Sequence, residues 1–371
     1  MIKSIRFKNF FSFKDCTVTL NNINALIGIN GTGKSNFIKA LQFLKATVTE
    51  GALPDLILNQ WGGFDAMFFA GNDSEGNTIE LEFEFDHSVL TDYGFNSNES
   101  FFYCITLKKV NSTQNYYISE KLYSTKDNVC YEQANHAESL LCQLVDQDRH
   151  IQLFSLRSAI KDIAIYGYFD TTPQSPIRKP MLPSGISSRL LSNGGNLSQI
   201  LNKIKINHKS DFNKIIEALQ NINPKFNSLD FNMIGTNIEL MLEETNFDRS
   251  IHVTHISDGT LRYLCLLAIV HNPERGAVVC IDEPEIGLHP DMISEFVEAM
   301  SQVSDKTQFI ISTHSEHILN NLSVENVLVC EKDDDNGTIV NTFRDKDYVE
   351  WASQYATGNL WRNGDLGGNR Y

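Results

Sequence analysis

The 371-residue chain has no apolar run near the roughly 18 residues that a membrane-spanning helix needs, so no membrane partner is expected. It has no Cys-x-x-Cys pair. Its seven cysteines (Cys16, Cys104, Cys130, Cys142, Cys265, Cys280, Cys330) are odd in number and scattered, which excludes a disulfide framework or zinc site and fits a reducing cytoplasm. Cys265, Cys280 and Cys330 sit inside apolar runs as small core residues. Positive charge is scarce: 31 Lys and Arg stand against 46 Asp and Glu, for a net charge of −15. Such a surface repels polyanions on average, and any nucleic-acid contact needs a local basic patch. Internal repeats, low-complexity segments and long heptad runs are also missing. The first ten residues alternate basic and apolar side chains without the apolar core of a leader peptide, and are expected as a strand. What is present is an ordinary globular balance, 42% hydrophobic and 21% charged. The length suits two or three units, or one large α/β domain with an insertion.

Along the chain, residues 2–10, Thr17–Leu20 and Ile23–Ile27 read as strands, and Asn36–Thr47 as a helix through Phe37, Ala40, Leu41 and Leu44. Thr78–Phe85, Phe101–Lys109, Tyr116–Tyr123 and Ile163–Phe169 are strand candidates, expected to form an antiparallel sheet. Residues 171–195 carry four prolines and read as a loop. Two short helices follow, Leu197–Ile206 and Asp211–Leu219. After Ser257 helix and buried strand alternate: Thr260–His271, Ala277–Ile281, Asp291–Val303, Thr307–Ser312 and Val324–Cys330. That rhythm predicts a parallel sheet with both faces covered. The acids Glu331, Asp333, Asp334 and Asp335 read as a hairpin turn rather than a metal cluster.

Gly28-Ile29-Asn30-Gly31-Thr32-Gly33-Lys34-Ser35 matches G-x-x-x-x-G-K-[ST] completely, between a strand and a helix start. Glycines there let backbone N–H groups wind round phosphate oxygens, and the helix start adds partial positive charge. Asn30, Gly31, Thr32, Gly33, Lys34, Ser35 and Asn36 are therefore candidate phosphate contacts. Lys34 would reach the β- and γ-phosphates, and Ser35 would take one position on Mg²⁺. A second signal is the apolar run Ala277–Ile281 ending in Asp282-Glu283-Pro284. Adjacent acids at the end of a buried strand are costly unless a cation or substrate meets them. Asp282 is the candidate Mg²⁺ ligand, and Glu283 the candidate base for the attacking water. Ser257-Asp258-Gly259 precedes a helix, with Ser257 as its cap and a second anion site at its start. His314 ends another buried strand, Ile310–Ser312.

This order of motifs resembles the ATP-binding-cassette ATPases of the RecF/SMC/OLD group, in particular the compact ATPases described as AAA family 21. Asn196–Leu201 and Leu360–Gly368 look like the same subgroup. The resemblance implies an α/β fold: an ABC-type, RecF-like ATPase head whose P-loop core carries an antiparallel β subdomain and a short helical lid insertion. Residues 1–170 would form the N-terminal part of the head, 171–235 the loop and lid, and 236–371 the C-terminal part. It also implies a head-to-head homodimer, with higher oligomers left open, and two ATP molecules held between one subunit's P-loop and the other's Ser257, Asp258 and Gly259. Gly287–Pro290 would cross the interface, His314 would sense the γ-phosphate, and Gln60 would be the Q-loop residue, touching the nucleotide and its Mg²⁺ with Ser35 and Asp282. The usual Leu-Ser-Gly-Gly-Gln departs here at Asp258 and Thr260, and an acid near a γ-phosphate would oppose closure.

No room remains for SMC-type arms or for the nuclease domain of OLD proteins. A separate effector such as a nuclease is therefore expected. Arg178, Lys179, Lys203, Lys205, His208, Lys209 and Lys214 gather positive charge, a candidate patch for double-stranded DNA; no aromatics interleave to stack single strands. The expected function is a cytoplasmic ATPase switching a DNA-linked process, defence against phage or mobile DNA first and DNA repair second. A non-hydrolysing ATP-dependent scaffold is the rival, and a transporter subunit is disfavoured.

Overall fold

One continuous sheet of twelve strands organises the molecule. The computed structural model describes residues 1–71, 77–87, 100–110, 115–124, 129–143, 151–185, 187–333, 335 and 337–368. In chain order the strands are β1 (Ile2–Phe10), β2 (Phe13–Thr19), β3 (Ile23–Ile27), β4 (Thr78–Phe85), β5 (Phe101–Lys109), β6 (Tyr116–Ser124), β7 (Val129–His136) and β8 (Ile163–Tyr166). A three-stranded sheet follows, β9 (Phe226–Ile234), β10 (Asn237–Glu244) and β11 (Ile251–His252). Then come β12 (Val278–Asp282), β13 (Gln308–Ser312), β14 (Val327–Asp333) and β15 (Gly337–Thr342). The large sheet runs β7-β6-β5-β4-β1-β2-β15-β14-β3-β13-β12-β8.

The two halves of this sheet differ in chemistry. From β14 to β8 the pairs are parallel. Every residue of β3 and β13 is buried, as strands covered on both faces must be. From β7 to β14 the pairs are antiparallel, and β4 alternates strictly between buried and half-buried residues. The strand expected at Ile163–Phe169 is a correction. It ends at Tyr166 and pairs in parallel with β12, not with the antiparallel set. Four residues beside a buried parallel neighbour carry no alternation to reveal which half they join.

Helix α1 (Lys34–Ala46) follows the P-loop and buries Phe37, Leu41 and Leu44 against the sheet. Helix α2 (Ile151–Lys161) leads into β8, and α3 (Leu197–Asn207) and α4 (Lys209–Ile222) are the two helices expected as the lid. Helix α5 (Asp258–His271) is apolar nearly all round, because it lies between the lid and the central sheet. Beyond β12 come α6 (Pro290–Gln302), α7 (Glu316–Asn320), α8 (Lys346–Ala352) and α9 (Thr357–Asn363). The expected division at 235 falls in the β9–β10 turn, and Leu229, Leu240 and Leu242 share a core with Ile200, Ile204 and Phe212 of the lid. Among the described residues no helix is long and apolar enough to cross a membrane. Cys265, Cys280 and Cys330 are buried free thiols.

His271 closes α5 in a buried setting. Burial, then the nearby Lys214, pushes its pKa from 6.5 down to about 4, while Asp211 opposes and Arg275 assists. The folded chain therefore refuses a proton that the unfolded chain accepts near pH 6.5. This stabilisation is complete above that pH and is lost as pH falls toward 4. Moving from pH 7.5 to 5 should cost about 2 kcal/mol, at about 1.4 kcal/mol per pH unit below 6.5. Urea unfolding at the two pH values should show that loss, and His271→Leu should reduce it.

Candidate nucleotide site

Three neighbouring parallel strands, β3, β13 and β12, end at one level, with Ser312 opposite both Leu26 and Asp282. Ligands of open α/β sheets collect at such carboxyl ends. The P-loop leaves β3 through backbone shapes that demand glycine. A Cβ on Gly28, at φ 143°, would lie 2.3 Å from the Cys330 carbonyl oxygen; one on Gly33, at φ 108°, would lie 2.4 Å from Thr338 Oγ1. Thr338 also donates to the Thr32 carbonyl at 2.8 Å, and Asn36 donates to Ser12 Oγ at 2.9 Å. Thus the hairpins β1–β2 and β14–β15 brace the loop from beneath.

Lys34 is buried and donates through Nζ to the carbonyls of Gly28 (2.7 Å) and Ile29 (3.2 Å). Burial lowers its pKa, while the facing Glu283 and Asp282 act the other way. On the opposite wall Glu283 holds φ 49°, a left-handed shape uncommon for a residue with a side chain. Its N–H donates to the carbonyl and hydroxyl of Ser312, at 3.1 and 3.2 Å. Ser312 Oγ in turn donates to Asp282 Oδ1. His314 Nε2 stands 3.8 Å from Glu283 Oε1. Burial, then Lys34, lowers the His314 pKa, so its ring is neutral at pH 7.

These groups enclose a cavity of about 290 Å³, at the low end of ligand pockets and suited to a polyphosphate. Asn30, Gly31, Gly33, Lys34, Ser35, Asn36, Asp282, Glu283 and His314 line it, together with Ser312. Sequence reasoning missed Ser312; its place at the end of a buried strand, two residues before a histidine, was the available signal. Thr32 is buried beneath, its hydroxyl donating to the Ile29 carbonyl at 2.9 Å. Ser35 and Asp282 offer hard oxygen donors on one cavity, which suits Mg²⁺: that ion typically takes one or two protein oxygens, phosphate and water. Gln60 is placed elsewhere. It lies in a π-helical turn, Asp55–Gln60, donates to Asp55 Oδ2 at 2.9 Å, and lines a separate groove with Lys45.

Ser257, Asp258 and Gly259 also lie outside the cavity. Ser257 Oγ caps α5 by accepting the Thr260 N–H at 3.1 Å. Asp258, an exposed acid in the first turn, meets Arg178 Nη2 at 2.6 Å, and this pairing lowers its pKa. Arg178 is buried and also donates to the carbonyls of Thr171 (2.7 Å), Val253 (2.7 Å) and Ile256 (2.9 Å). Its place in the basic patch is therefore corrected: it is a clamp on the turn. The charge of Asp258, expected to oppose closure, is balanced within its own chain. Of the other cations, Lys203 pairs with Glu274, Lys205 with Asp230 and Lys214 with Asp211. The loop 287–290 rests on α5, since a Cβ on Gly287 would lie 2.1 Å from Arg262 Nη1. As for the acidic hairpin, β14 and β15 pair from Asp333–Gly337 onward, and Asp334 lies outside the described residues. Among the described residues no metal-holding group of three or more His, Cys, Asp or Glu is found.

Sequence comparison agrees with this geometry. Residues 1–156 match a family described as "AAA ATPase domain", and residues 179–320 one described as "AAA domain, putative AbiEii toxin, Type IV TA system". Solved structures extend the likeness to the whole fold. An SMC head bound to the C-winged-helix domain of ScpA covers 93% of this chain and 99% of its own, with a TM-score of 0.62 and 15% identity. An SMC head with an extended coiled coil, bound to the C-terminal domain of ScpA derived from Pyrococcus furiosus, covers 95% and 98%, with a TM-score of 0.60 and 14% identity. The fold is that of an SMC head, and the two matched families, each over part of the chain, are described as AAA and AAA ATPase domains. A curated relative, "Retron Vc95 probable ATPase" of Vibrio cholerae serotype O1 biovar El Tor, is 28% identical over 102 residues. That stretch is 27% of this chain and 20% of the relative.

Proposed function

We propose that the protein binds Mg²⁺-ATP, dimerises head to head around it, hydrolyses it, and so switches a DNA-linked defence process through a separate, nuclease-like effector. The carrying observation is the placement of Ser257-Asp258-Gly259: a capped, exposed helix start that its own phosphate cavity does not use. Helix starts with free N–H groups favour anions, and a second copy's γ-phosphate is the anion that fits. Within one cavity the P-loop N–H groups and Lys34 hold the phosphates. Mg²⁺, when bound through Ser35 and Asp282, neutralises phosphate charge. Glu283 orients the attacking water and takes its proton as the new bond to the γ-phosphorus forms and the bond to the β-phosphate oxygen breaks. Neutral His314 donates a hydrogen bond to the γ-phosphate.

Defence is preferred over DNA repair because the curated relative carries the name "Retron Vc95 probable ATPase" and one matched family the description "putative AbiEii toxin, Type IV TA system". With so many lysines already paired, direct DNA binding is the weaker part of the reading. Ser257→Arg tests the composite site. It should leave ATP affinity within about twofold while removing ATP-dependent dimers, read by calorimetry and by light scattering. Dimers that persist in this variant would refute the shared site.

A further inference from the structure

Glu285 follows Glu283 by two residues, yet it does not line the phosphate cavity. Its side chain reaches across to the exit of β13. There Oε1 accepts the Thr313 hydroxyl and the His314 main-chain N–H, each at 2.8 Å. Oε2 is buried and, among the described residues, has no hydrogen-bond partner. A half-buried carboxylate that spends one oxygen on a neighbouring loop and leaves the other shielded without a partner among the described residues is an expensive arrangement. Its local turn adds a second connection. Ile286 N–H donates to the Glu283 carbonyl at 3.2 Å, and Leu288 N–H to the Glu285 carbonyl at 3.1 Å. Glu285 thus sits between the backbone that shapes Glu283 and the loop 287–290 that packs on α5.

Building on the ATPase reading above, we infer that Glu285 is a positioning residue. It fixes His314 at its working distance from Glu283 and ties both to the loop 287–290. His314 has a single-residue exit from β13, and the ring contact to Glu283 is only 3.8 Å at the reacting end. Its main chain is held from the other side by Glu285 alone among the described carboxylates. Releasing that bond frees the ring to drift by a fraction of a side chain, and misplacement of about 1 Å can cost about 100-fold in rate.

Glu285→Ala and Glu285→Gln test this, the second keeping an acceptor oxygen at Oε1. Steady-state turnover, ATP affinity and hydrogen exchange at the His314 amide are measured in wild type, both variants, His314→Ala and the double variant Glu285→Ala/His314→Ala. The expected result is a fall in kcat of about tenfold to a hundredfold in Glu285→Ala, with ATP affinity unchanged within about twofold. Glu285→Gln should restore most of the rate. The double variant should be no slower than His314→Ala, because both changes act through one ring. Equal losses in Ala and Gln, or additive losses in the double variant, would overturn the inference. If wild type itself does not hydrolyse ATP, the ATPase reading falls. The amide readout then decides: faster exchange at His314 in Glu285→Ala and retained protection in Glu285→Gln support the positioning, and no change refutes it.

Discussion

On the proposed mechanism, Glu283→Gln is expected to lower ATP turnover by about 10²–10⁴-fold, to leave ATP bound and to make the proposed dimers long-lived. The amide keeps the size and the Ser312 anchor of the backbone, since that anchor is a main-chain N–H donating to Ser312. What is lost is the carboxylate proposed to accept the water's proton. Removing one negative charge beside Lys34 and the phosphates also lessens repulsion toward the nucleotide, so binding should tighten slightly. Single-turnover kinetics and gel filtration with ATP check both halves. Turnover equal to wild type would remove Glu283 from the chemistry, and an absence of turnover in wild type itself would favour the ATP-dependent scaffold.

Lys34→Ala should abolish measurable ATP binding. In the free chain the ammonium is satisfied by the Gly28 and Ile29 carbonyls. Phosphate oxygens at the cavity would replace these neutral acceptors with charged ones, each such bond contributing about 1.5–3 kcal/mol. Losing two of them weakens affinity by on the order of 10²–10⁴-fold, since about 1.4 kcal/mol is tenfold. Folding should survive, because the substitution also removes a cation that burial disfavours. Calorimetry alongside thermal melting distinguishes lost binding from lost structure. A variant that melts like wild type and still binds ATP within tenfold would place the phosphates elsewhere.

The parts of this molecule that could be read from the chain are those where one residue type is forced. Glycine at positions 28 and 33, a lysine at a helix start and two acids ending an apolar strand leave few alternatives, and nine of the expected residues gather round one cavity. Placement by analogy alone did not bring Gln60 there, because its side chain is directed by local bonding to Asp55 rather than by a strand end. Arg178 was legible only as charge. Its four bonds run to positions 171, 253, 256 and 258, and no local pattern announces contacts so far apart in sequence. β8 was visible as a strand but not as a partner of β12, since pairing across more than a hundred residues leaves no periodic trace. The sheet β9–β11 was missed because β9 and β10 do not alternate regularly between buried and exposed residues, so no period-2 pattern marks them as strands.

The left-handed backbone at Glu283 has an evolutionary corollary. A residue with a Cβ is held there at a conformational cost of about 1–3 kcal/mol that glycine would largely avoid. Exchange to glycine should therefore yield a sturdier but idle chain. On the proposed ATPase reading, the carboxylate at this position is therefore held for its chemistry against the preference of the backbone itself.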